Sequence, residues 1–199
     1  MTIETFPLIL PSELDFKPVP NSHSSLSSNN YSEVWAHPGG IWTFDATWRN
    51  IRYTNARVLN NFLLNLDGQA GQFKMWDSTH SQLGSWGGTV VVDGNDQTGR
   101  LLSIRGATPS TLIAPAGDRF EINDYLYQLT QDAVADGTGR CDLRFWPELI
   151  VIPADGTALI TTNPTNKMML QDNNQGPSFA RRKLNVRDFS IAGYTSKRA

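Results

Sequence analysis

The chain has 199 residues, of which 39 % are hydrophobic and 18 % charged, with a formal net charge of −2. That length buries one large core or two small ones, and the composition excludes a disordered chain. The charge balance offers no global attraction to nucleic acid or to anionic membranes.

Residues 1–30 read as an irregular N-terminal arm, because Pro7, Pro11, Pro18 and Pro20 are followed by the polar stretch NSHSSLSSNN. An assembly protein can order such an arm on contact with a neighbouring subunit. The apolar run Phe6–Leu10 is broken by Pro7, and only Glu4 is charged before it, so it is no signal peptide. No run reaches the ~20 apolar residues of a membrane helix. The sequence thus predicts a soluble chain made in the cytoplasm.

Two strands are predicted next, Tyr31–Ala36 and Ile41–Trp48, joined by the turn His37-Pro38-Gly39-Gly40. In the second strand Trp42, Phe44, Ala46 and Trp48 share one face, and Thr43, Asp45, Thr47 and Arg49 the other. Leu59, Phe62, Leu63 and Leu66 then repeat at i, i+3, i+4 and i+7, which predicts one amphipathic helix, with Thr54 as its cap and Gly68 as its left-handed terminator. Gln72–Trp76 reads as a strand, residues 77–89 as a turn-rich loop, and Val90–Val92 and Arg100–Gly106 as strands flanking DGNDQTG.

Short strands fill Phe120 to Ile160, punctuated by Asp136-Gly137 and Asp155-Gly156. Cys141, Leu143 and Phe145 alternate with Asp142 and Arg144, so the single cysteine reads as a small buried strand residue. Its being alone excludes an internal disulfide and a two-cysteine zinc motif. After Asn163-Pro164 come a strand over Lys167–Gln171, the polar loop DNNQGPS and a last strand over Lys183–Ile191. The basic clusters Arg181-Arg182-Lys183 and Lys197-Arg198 read as solvated surface. The fold class is therefore mainly β with one short helix: an antiparallel β-sandwich or split barrel carrying an inserted small β-barrel.

The search for chemistry finds no reactive constellation. His23, His37 and His80 lack metal-ligand spacing, Gly137-Thr138-Gly139 lacks a phosphate-loop pattern, and no G-x-S-x-G occurs. Asp118, Glu121 and Asp124 read as surface charge, with Asp118 and Asp124 on one face and Glu121 on the other. Neither a catalytic residue, a cofactor site nor a metal site is expected. Among the tryptophans, Trp42 and Trp48 fit a core face, and Trp76 follows the strand that bears Phe73 and Met75. Trp35 and Trp146 are expected to pack on their own sheets. Trp86, in GSWGG, is the loop aromatic that could anchor an interface or bind sugar.

The order of these features resembles a known family. A strand ending in Trp48, the unit TNARVLNNFLLNLDGQAGQFKMWD, a linker with DQTG, and then AGDRFEINDYLYQLTQDAVADGTGRCDLRFWPELIVIPADGTAL are similar to siphophage distal tail proteins, structural components of the tail tip. The likeness spans about residues 31 to 170 and rests on distributed positions. It implies a homo-oligomeric ring, usually a hexamer, that joins the last tail-tube ring to the tail-tip hub or baseplate. Under it, residues 31–85 plus 164–199 make the ring-forming β domain and 86–163 an inserted small β domain. The implied partners are the tail tube protein, the tail-tip hub protein and the tape-measure protein, in the virion tail after synthesis in the host cytoplasm. Sequence-specific nucleic-acid binding and membrane contact are not expected. The contact segments proposed on this reading are 21–30, 77–89 and 172–178, with Ser25, His80, Trp86 and Asn174 as interface residues. The rival expectations are a tail-completion or terminator protein, a carbohydrate-binding adhesion module with Trp86 and Tyr125 exposed, and a cell-wall or capsule hydrolase.

Overall fold

The computed structural model of the chain describes residues 3–179 and 188–198. Its first half holds β1 (Glu4–Thr5), β2 (Glu13–Val19), β3 (Ser22–Leu26), β4 (Ser32–Ala36), β5 (Ile41–Trp48), α1 (Tyr53–Asn65), β6 (Phe73–Trp76) and β7 (Gly88–Val92). There follow β8 (Leu101–Ala107), β9 (Leu112–Ala114), β10 (Arg119–Ile122), β11 (Tyr125–Leu129), β12 (Ala133–Val134), β13 (Cys141–Trp146), β14 (Thr165–Leu170) and β15 (Phe189–Thr195). The protein is mainly β, as the strand patterns require, with one α-helix among the described residues.

A six-stranded sheet runs β1-β6-β14-β15-β5-β2, antiparallel except for the β1–β6 pair. Alternation in β5 aims Trp42, Phe44, Ala46 and Trp48 into one core, where they meet Phe73, Met75, Met168, Leu170 and Ile191. The helix stripe closes that core with Ala56, Leu59, Phe62 and Leu66, leaving Leu63 at its margin. The helix begins after Arg52, without a side-chain cap from Thr54. It gives way to a short 3-10 turn in which Asp67 and Gly68 both take left-handed φ, at 52° and 64°.

A second core lies under the curled half-barrel sheet β10-β11-β13-β8-β7, supplemented by the β9–β12 pair. Here Phe120, Tyr127 and Phe145 pack ring against ring at 5.2–5.5 Å between centroids. The GTG turn closes as expected: Asp136 Oδ1 accepts hydrogen bonds from the Thr138 amide and hydroxyl and from the Arg140 amide.

Two elements differ from the sequence reading. Residues 3–30 are not an irregular arm, because β1 and β2 take opposite edges of the six-stranded sheet and Phe6 is buried among Trp48, Phe62 and Phe73. Proline is tolerated on an edge strand, where its missing N–H faces away from the ladder, so Pro18 interrupts nothing. The last strand extends to Thr195, past the Ile191 end expected for it, while residues 183–187 of that expected strand lie outside the described residues. The same holds for the Arg181-Arg182-Lys183 cluster. The extension passes through Gly193, a residue type depleted in strands, because a Cβ there would collide with the Met169 carbonyl and sit 2.6 Å from the Phe44 ring.

Candidate functional site: a projecting ribbon and a polar cleft

The β2–β5 ladder does not stop at the sheet. Val19 pairs with Ile41, and beyond a short irregularity Ser22 pairs with Ala36 and Leu26 with Ser32. The junction is held by the His37 amide donating to the Asn21 carbonyl at 2.8 Å and by Asn21 Nδ2 donating to the Pro38 carbonyl at 3.1 Å. β3 and β4 therefore form a two-stranded ribbon that pairs with no other strand among the described residues, about 17 Å long at ~3.3 Å per residue. Its tip closes through the Ser27 amide on the Tyr31 carbonyl, with Asn30 at φ 61°.

All ten strand residues of the ribbon are exposed, and Glu33 is their one formal charge. Pairing puts Ser24 opposite Val34 on one face, and His23 opposite Trp35 and Ser25 opposite Glu33 on the other. Leu26, Tyr31, Val34 and Trp35 are 75 %, 76 %, 65 % and 50 % exposed. Trp35 thus does not pack onto a sheet of its own, because the ribbon is only one layer thick.

A second feature lies where the two cores meet. Asp77 and Arg119 form a buried ion pair at 2.5 Å, and the Arg119 guanidinium also lies over the Trp42 ring, 4.8 Å from its centroid. Asp118 and Glu121, expected at the surface, are buried. Asp118 accepts the Leu83 and Gly84 amides, and Glu121 Oε2 accepts the Thr165 amide and hydroxyl. Their partners are distant in sequence, which is why a strand-face argument places them wrongly. Asp124 instead pairs with Lys74 at 2.5 Å.

Next to this seam a cleft of about 300 Å³ is lined by residues of 76–86 and 161–164. It brings together two of the sequence-predicted residues, His80 and Trp86; Ser25 lies on the ribbon, and Asn174 is exposed in the loop after β14. Trp86 is only 4 % exposed and stacks at a tilt on Phe120, so it does not present its ring outward from a loop. Its positive φ of 52° turns the side chain inward among the glycines. Tyr125, the other sugar-binding suspect, is 2 % exposed and lies in the core beneath Lys167.

The remaining chemistry is structural. Cys141 is half-buried rather than enclosed, and burial pushes its thiol up, away from the thiolate a nucleophile needs. Arg105 bridges Asp93 and Asp155, and its hydrogen bonds hold the Asp155 carboxyl down to about 2. Among the described residues no group of three or more His, Cys, Asp and Glu is placed to hold a metal ion. No family model and no curated protein matches the chain.

Proposed function

We propose that this chain is a structural subunit of a phage tail, closing into a homo-oligomeric ring at the distal end, between tail tube and tail-tip hub or baseplate. The observation that carries the proposal is the β3–β4 ribbon. A two-stranded hairpin alone is marginal in water, and an exposed edge without charges to guard it invites pairing. This one offers four large apolar side chains and a single carboxylate. Such a surface is costly on an isolated monomer and useful when a neighbour covers it. If each copy lays its ribbon on a different surface of the next, the contact is heterologous, and repeated rotation closes a ring with a central channel. The resemblance of residues 31 to 170 to distal tail proteins supplies the expected number of copies, six, and the expected partners: tube, hub and tape-measure proteins. On this reading the chain acts by shape and performs no catalysis.

The test is the mass of the purified chain by light scattering, together with that of Val34→Glu/Trp35→Glu. The expected result is a ring for the native chain and a monomer of unchanged circular dichroism for the variant. A native chain that stays monomeric at high concentration, or a variant that still assembles, overturns the ribbon's role. Immunogold label on particles distinguishes the tube–tip junction from the head-proximal position of a terminator.

A further inference from the structure

We propose that the cleft between residues 76–86 and 161–164 binds a neutral saccharide. The inference does not draw on the ribbon, since none of these residues belongs to it. Its first support is that the walls are fixed without using the groups that face the cleft. The Gln82 side chain is saturated: Oε1 accepts the Arg119 amide at 2.9 Å and meets His80 Nε2 at 3.0 Å. Its Nε2 donates to the carbonyls of Arg119 and Thr161, and so ties one wall to the other. The Asp118 carboxylate pins Leu83 and Gly84, and the Trp86 amide donates to the Ile113 carbonyl at 3.1 Å. A site held this way needs little ordering when a ligand arrives.

The second support is what the framework leaves over. Ser81, Ser85, Thr162 and Asn163 line the cleft as exposed residues, and their side chains make no hydrogen bond among the described residues. Hydroxyls and a carboxamide both donate and accept, which matches sugar hydroxyls, themselves donors and acceptors. Trp76 is half-buried at the same cleft, and an indole face suits the C–H face of a pyranose ring.

The third support is charge and size. No Asp, Glu, Lys or Arg lines the cleft, so phosphates, uronates and cations find no counter-charge there. A volume of about 300 Å³ is at the lower end for small-molecule sites and accommodates one or two sugar rings.

The experiment is saturation-transfer NMR followed by calorimetry on the full chain. The probes are glucose, galactose, N-acetylglucosamine, their β-linked and α-linked oligomers, and glucuronic acid as a charged control. The expected result is binding of at least one neutral sugar. Thr162→Ala and Asn163→Gly should each weaken it roughly ten-fold, the worth of one or two hydrogen bonds, at unchanged melting temperature. Glycine keeps the positive φ at position 163, so that variant folds; Trp76→Ala, which removes the half-buried ring at the cleft, is the second line. Affinity rising with oligomer length identifies an envelope polysaccharide as the source, and equal affinity for the monomer a free sugar; both outcomes support the proposal. It is overturned if no neutral sugar binds, if glucuronic acid binds better, or if the variants bind as the native chain does.

Discussion

Gly193 shows how much one missing methyl group can decide. It stands in the middle of β15, where a Cβ would meet the Met169 carbonyl and the Phe44 ring. Gly193→Ala is therefore expected to destabilise the chain by about 1–3 kcal/mol through overpacking, read as a lower melting temperature. Arg119 matters for a different reason. Replacing it with Met leaves Asp77 buried and unpaired, which costs about 3–5 kcal/mol; urea denaturation should show that loss, and Asp77→Asn added to Arg119→Met should recover part of it. Asp155 gives a pH-dependent case. Its carboxyl is held at about 2 by hydrogen bonds from Arg105 and from the Gly94 amide. A depressed carboxylate contributes its stability above its unfolded value, near ~4, and loses it as pH falls through the folded value of about 2. NMR titration should find the low midpoint in the native chain and a rise toward ~4 in Arg105→Gln; an unmoved midpoint would refute the pairing.

At the scale of elements, what could be read from the sequence was whatever repeats locally. The β5 alternation and the α1 stripe each place four apolar side chains at fixed intervals, and the core uses them as the intervals imply. The Asp136 turn is legible because every hydrogen bond its carboxylate accepts comes from within four residues. The strands β2 and β3 were hidden by their composition. Prolines and serines say loop, and only pairing to β5 and β4, 6 to 34 residues ahead, makes them extended. The ribbon follows the same logic: β4 was expected, but its partner was not, so the projection itself went unread. Trp86 and the buried carboxylates were misplaced because their environment is built by residues 27 to 44 positions away, beyond any periodic signal. Of the four residues proposed from sequence, the structure gathers two, His80 and Trp86, in one cleft whose remaining wall, 161–164, carried no motif.

Over the whole molecule, two cores share a polar seam. The Trp42 indole, in the first core, donates to the Leu126 carbonyl at 3.0 Å across that seam, and Arg119 lies against the same ring. The six-stranded sheet adds a constraint of time. β15 follows all its sheet partners in the sequence, yet it sits in the middle of the order β1-β6-β14-β15-β5-β2. Until residues 189–195 have left the ribosome, β5 with β2 and β14 with β6 are two separate fragments with open inner edges. The sheet that supports the ribbon is thus completed only by a strand synthesised some 150 residues after the ribbon's own. A nascent chain emerging beside others of its kind has its sticky hairpin attached to an unfinished base. Open inner edges invite pairing with a neighbouring chain, so the interval before residues 189–195 emerge is when this sheet is open to mispairing, and their docking between β14 and β5 ends it.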